Sequence, residues 1–142
     1  MSIRIAYPYD PEELEARNPP FVQDLIDLKV HGYTESVMEI IKMIADLKLN
    51  GKDCRFLKQL RNYSILELKT HSRGGQKGGA RAYLFRYHET FFICRAEWKP
   101  GDEPSQDCLE DTAFMLLAFK QRRALFPNRM KNPPKFEKEQ IP

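Results

Sequence analysis

Arg81-Ala82-Tyr83-Leu84-Phe85-Arg86-Tyr87-His88 and Phe91-Phe92-Ile93-Cys94-Arg95-Ala96-Glu97-Trp98, separated by Glu89-Thr90, decide the fold class of this chain. Both runs are rich in aromatic and apolar residues that suit a pleated, half-buried surface. Their closeness predicts an antiparallel hairpin with a two-residue turn at Glu89-Thr90, although Glu-Thr is not a favoured turn pair. Strand alternation then puts Tyr83, Phe85 and Tyr87 on one face with Phe92, Cys94, Ala96 and Trp98, read as core. Arg86 and His88 share the other face with Phe91, Ile93, Arg95 and Glu97. By the same parity Arg81 falls on the apolar face, at a strand start where twist or a bulge could free it.

Upstream, Ile65-Leu66-Glu67-Leu68-Lys69 reads as a strand, and residues 72–79, with four glycines and two cations, read as a loop. The loop lacks GxxxxGK[ST], since Ala80-Arg81 follows Gly78-Gly79, so it is not a nucleotide-hydrolysing phosphate loop. Residues 3–7 alternate as a first strand, ended by Pro8. Asp10-Pro11-Glu12-Glu13 opens a short helix that Pro19-Pro20 stops. Phe21, Val22, Leu25, Ile26 and Leu28 form an apolar stripe at helical spacing. Val37, Ile40, Ile41, Ile44 and Leu47 form a second one, capped by Thr34 or Ser36 and stopped at Asn50-Gly51. After Pro100-Gly101, residues 105–125 predict a last helix with Leu109, Ala113, Leu116, Leu117 and Phe114 facing inward. Strand, helices, strand, hairpin and helix make an α+β domain: a small, mostly antiparallel sheet with helices packed on one face and the other face open. Residues 1–127 are expected to form a single domain and 128–142 a mobile tail.

The chain has 142 residues, with 23 Lys and Arg against 20 Asp and Glu. That size fits one domain, and 30% charged residues is ordinary for a globular chain. No apolar run is long enough for a membrane span, and no signal-peptide core opens the chain, so a cytoplasmic protein is expected. Cys54, Cys94 and Cys108 are an odd, widely spaced set, which indicates neither a disulfide framework nor a zinc site. The charge is unevenly placed. Residues 63–99 hold seven basic and three acidic residues, whereas residues 1–62 hold nine and ten. A basic middle interleaved with aromatics suits a polyanion such as RNA. Arg73 and Lys77 in the loop, with Arg86 and Arg95 on the hairpin, are the candidate RNA-binding cations. An acidic block from Asp102 to Asp111 and a basic run from Lys120 to Lys135 follow. No Ser/His/Asp or Cys/His nucleophilic set is legible, so any acid–base chemistry rests on Lys and Arg, helped by His88, Glu97 or a tyrosine.

The segments Phe56-Leu57-Lys58-Gln59-Leu60, Ile65-Leu66-Glu67-Leu68-Lys69, Gly78-Gly79-Ala80-Arg81-Ala82-Tyr83-Leu84-Phe85-Arg86 and Phe92-Ile93-Cys94-Arg95-Ala96-Glu97-Trp98-Lys99, taken in order, resemble the RelE/ParE superfamily of bacterial toxins, in its HigB-like, phage-derived branch. The resemblance covers roughly residues 54–123. It implies a compact RelE-like α+β toxin without cofactor or metal, which cuts mRNA, often on the ribosome, and is neutralised by a cognate antitoxin protein. The resemblance maps the family's basic positions onto Arg81, Lys69 and Lys99. Arg81 would stabilise a phosphorane formed when a ribose 2′-hydroxyl attacks the adjacent phosphate. Lys69 or His88 would act as general base, and Lys99 would protonate the leaving 5′-oxygen. This chain departs from the pattern at Ala80, where an aromatic is usual, and at Pro100-Gly101-Asp102-Glu103, where further cations are usual. Two alternatives stay open: a ParE-like toxin that inhibits DNA gyrase, and a non-toxic phage-derived domain that binds RNA or protein.

Overall fold

The computed structural model describes residues 3–9, 18–60, 64–69, 79–99, 104–125 and 135–138. Its elements in chain order are β1 (Arg4–Tyr9), α1 (Pro20–Val30), α2 (Thr34–Asn50), a single 3-10 turn (Gly51–Asp53), β2 (Leu57–Gln59), β3 (Leu66–Lys69), β4 (Gly79–Tyr87), β5 (Thr90–Lys99), α3 (Gln106–Leu125) and β6 (Lys135–Lys138). The sheet runs β2-β3-β4-β5-β1-β6. Every neighbouring pair is antiparallel except β1 beside β5, which is parallel. The α+β class is as expected, and the arrangement is consistent with a small RelE-like fold.

Helix placement departs from the expectation of one covered face. Ile5, Tyr7, Leu68, Ala80, Ala82, Leu84, Phe91 and Ile93 pack against Phe21, Val22 and Leu25 of α1 and Val37, Ile40, Met43, Ile44 and Leu47 of α2. The reverse side of the same strands presents Ala6, Phe85, Phe92 and Cys94 to Phe119, and Tyr83 to Cys108 and Leu109 of α3. Both faces are therefore covered, because the hairpin strands are apolar on both sides and each side must be kept from water. Alternation along β4 is kept throughout. In β5 an irregularity opposite Tyr83 and Leu84 leaves Cys94 as an extra residue, since Tyr83 pairs with Arg95 but Leu84 pairs with Ile93. Beyond it Ala96 joins the α1/α2 core, and Arg95 and Glu97 become register partners of Tyr83 and Arg81. A period-two reading cannot carry across such a bulge, which is why Arg95 and Glu97 were expected on the other face.

Other boundaries shift for local reasons. The hairpin turn is His88-Glu89, with Tyr87 opposite Thr90, so it lies one residue earlier than expected. His88 takes φ 53°, a left-handed conformation that turns of this kind require. Pro8 lies inside β1, opposite Phe136 of β6. There β1 has passed its last partner on β5, and proline is tolerated where a strand is paired on one side only. Pro20 stands at the first turn of α1, where its missing N–H costs nothing. Helix α2 ends at Gly51 (φ 57°), where an added Cβ would stand 2.8 Å from Ile3 Cδ1. Strand β2 was not expected from the sequence, and β6 forms within the segment expected to be a mobile tail. The short helix expected after Asp10 lies outside the described residues.

Candidate functional site

Register brings Lys69, Arg81 and Glu97 side by side on β3, β4 and β5. Lys99 pairs with Gly79 at the same end of the hairpin, two residues further along. Three of the four cations to which the resemblance assigns chemistry therefore come together. The fourth, His88, stands at the turn at the other end of the hairpin, seven residues from Arg81 along the chain and about 20 Å away at strand spacing. It is solvent-exposed and shares no row with the others.

The centre of the row is not open to solvent. Arg81 is 1% exposed and Glu67, two residues from Lys69 on β3, is 2% exposed; their Nη1 and Oε2 atoms lie 3.8 Å apart. Arg81 thus stays on the face that strand parity assigns it, and no bulge in β4 releases it. Burial pushes the Glu67 carboxyl above its ordinary range, against the pull of Arg81, Lys69 and Lys58. Next to the pair, the Tyr83 hydroxyl donates to Glu97 Oε2, which also accepts the backbone N–H of Ser105 at 3.0 Å. Burial, followed by the Glu97 carboxylate, drives the Tyr83 phenol far above its usual range. Glu97 thereby ties the start of α3 to this end of the sheet, while Cys108 and Leu109 close over Tyr83. Lys69 remains half-buried.

The other predicted cations scatter. Arg95 is half-buried and ion-paired to Asp24 of α1 at 2.6 Å and to Asp111 of α3. Burial alone would lower its pKa, but the hydrogen bond and charge of Asp24 outweigh that and hold it above the ordinary value. Asp24 also accepts the N–H of Ala96 at 2.9 Å. These partners make Arg95 a structural clasp. Sequence alternation could not show this, because the residue reaches both helices only through the bulge. Arg86 is exposed near the turn, donating through Nε to the His88 carbonyl at 2.7 Å and lying 3.8 Å from Glu89. Arg73 and Lys77 lie outside the described residues, as does the acidic turn at Asp102-Glu103.

An open groove of about 310 Å³ lies between the end of α1 and β5, lined among others by Asp27, His31, Tyr33 and Trp98. Tyr33 stacks on Trp98 with ring centroids 4.6 Å apart, which already covers part of that wall. Among the described residues no group of three or more His, Cys, Asp or Glu side chains could hold a metal ion. No described helix is long and apolar enough to cross a membrane.

Compared with protein-family models, curated proteins and solved structures, the chain matches none.

Proposed function

We propose that the chain is the toxin component of a toxin–antitoxin pair of the RelE/ParE kind, directed at mRNA. The observation that supports this most is the cross-strand row of Lys69 and Arg81, with Lys99 at the same end of the hairpin. Adjacent strands place Cα atoms about 4.8 Å apart, so cations in one row can converge on a single phosphate. In this reading the 2′-hydroxyl of one ribose attacks its own 3′-phosphate and expels the 5′-oxygen of the next nucleotide. For this step the start of α3 must first lift from Glu97 to uncover Arg81. Arg81 then neutralises the charge that develops on the phosphorane, while Lys69 takes the attacking proton and Lys99 supplies one to the leaving oxygen. His88 takes no part in that step because it belongs to the other end of the hairpin. The cognate antitoxin protein and the ribosome are the expected partners.

A second reading has a specific observation in its favour. Arg81 is buried against Glu67, beside the carboxylate that anchors α3, and so cannot touch a phosphate in this arrangement. A domain of this shape that blocks a target without cutting RNA fits that burial; the gyrase inhibitor and the non-toxic binding domain are its two forms.

Purified protein incubated with mRNA, with and without ribosomes, separates the readings. The nuclease reading expects new 2′,3′-cyclic phosphate and 5′-hydroxyl ends, lost in Lys69→Ala and in Arg81→Lys variants whose circular dichroism matches the parent. Unchanged cleavage by both folded variants would falsify it. So would growth arrest on expression without any new RNA ends.

A further inference from the structure

Helix α3 has two apolar sides, and the fold uses one of them. Cys108, Leu109, Thr112 and Phe119 are buried, with Met115 and Leu116 packed beside Phe119. On the opposite side Asp107, Glu110, Phe114, Leu117 and Gln121 are all exposed. They follow one another at alternating spacings of three and four residues, the seam along which one helix packs on another. Phe114 is 72% and Leu117 52% exposed, at the middle of that seam. The charges of α3 are divided along its length. Asp107, Glu110 and Asp111 stand in its first half, and Lys120, Arg122 and Arg123 in its second. Asp111 is held by Arg95. Glu110 meets the neutral amide of Gln106 at 3.3 Å, and Lys120 is exposed.

We propose that this seam is the interface of a symmetric dimer, in which α3 of a second copy of the chain lies antiparallel across it. A two-fold axis level with the junction of Met115 and Leu116 sets Phe114 against the partner's Leu117, and Leu117 against the partner's Phe114. The same axis brings Glu110 level with the partner's Gln121, one helical rise of about 1.5 Å from the partner's Lys120. Each contact occurs twice, as pairing of one patch with itself requires. Acid in one half and base in the other make the face complementary to itself only when the helices run in opposite directions. A parallel pair would set Glu110 against Glu110 and Lys120 against Lys120. Burial of four large apolar side chains drives the association, and the two charge pairs fix its direction. Two helices of about 30 Å meeting along one seam make a small interface, so the dimer is weak and forms at high protein concentration. It does not depend on RNA being the target.

The test is sedimentation equilibrium of the full chain between about 5 and 500 µM, where a monomer is expected to pass into a dimer. Phe114→Glu, at an exposed position, is expected to weaken the dimer at least tenfold, with circular dichroism matching the parent. Glu110→Lys and Lys120→Glu are each expected to weaken it about fivefold, because each sets like charges together across the axis. The double variant Glu110→Lys/Lys120→Glu exchanges the signs and is expected to return the affinity to within about twofold of the parent. A chain that stays monomeric across the whole range would overturn the proposal and leave the seam to a different protein. A dimer that Phe114→Glu leaves intact would overturn it as well, as would a double variant no tighter than the single ones.

Discussion

Arg95 grips Asp24 at two points, Nε to Oδ2 at 2.6 Å and Nη2 to Oδ1 at 3.1 Å, although the residues are 71 positions apart. The same guanidinium meets Asp111, so a β5 side chain joins α1 to α3 around the margin of the sheet. Bidentate pairing of this kind fixes orientation as well as charge. Asp24 in turn accepts the Ala96 N–H, which lies past the end of the β1 pairing.

Removal of Arg95 leaves Asp24 mostly buried without its countercharge. Arg95→Ala is expected to cost about 3 kcal/mol in urea denaturation. Asp111→Ala, at a 54% exposed carboxylate, should cost less than about 1 kcal/mol. Equal losses for the two would show that the clasp does not depend on the buried partner.

The Glu67–Arg81 pair predicts an asymmetry between its members. Arg81→Met strands a buried carboxylate and is expected to destabilise by about 3–5 kcal/mol, whereas Glu67→Gln/Arg81→Met should recover most of that loss. Because burial raises the Glu67 pKa on folding, the folded chain holds that proton more tightly than the unfolded one. The stabilising contribution of protonation is present below the unfolded pKa and is lost as pH rises through the folded value. A comparison of urea midpoints for wild type and Glu67→Gln from pH 4 to 7 should therefore show their difference moving in favour of the glutamine variant as pH increases. A difference that stayed constant would remove the linkage.

Phe119 holds the second half of α3, touching Phe85, Phe92 and Tyr87. Phe119→Ala is expected to cost about 3–5 kcal/mol. Phe114, on the same helix but 72% exposed, should tolerate alanine within about 0.5 kcal/mol. Thermal melts of the two variants measure the contrast directly.

All three cysteines are free and buried. Burial, and for Cys54 the neighbouring Asp46, pushes that thiol to about 11. Burial pushes Cys108 to about 12, and Cys94 stands well above its usual value. Iodoacetamide at pH 8 should leave native protein unmodified and label three sites after unfolding, read by intact mass. Rapid labelling of a native thiol would contradict the burial.

How much of this was legible in the sequence differs from element to element. The stripe Val37, Ile40, Ile44 and Leu47 indicated α2, and these residues are all buried in the core. Leu117 and Phe114 of α3 were expected inside but are exposed, while Cys108, Thr112 and Phe119 are buried. The α3 stripe was ambiguous because apolar residues lie on more than one side of the helix. Only the family resemblance marks Lys69 and Arg81 as functional residues. Their adjacency is a matter of register, and the burial of Arg81 against Glu67 could not be read from the local pattern.

Local sequence alone determined the α+β class, the positions of the helices and the existence of the β4–β5 hairpin, because periodicity, proline, glycine and aromatic content act over a few residues. It also marked the middle of the chain as basic. Tertiary structure alone decided which cations meet an acid and which meet water. One extra residue at Cys94 turned Arg95 and Glu97 to the Tyr83 side, and α3 came to cover that side. The physical reason is that the environment of a charge is set by residues far along the chain. Arg81 and Arg95 have their charges answered within the fold by Glu67, Asp24 and Asp111, while Arg4 and Lys120 keep theirs exposed.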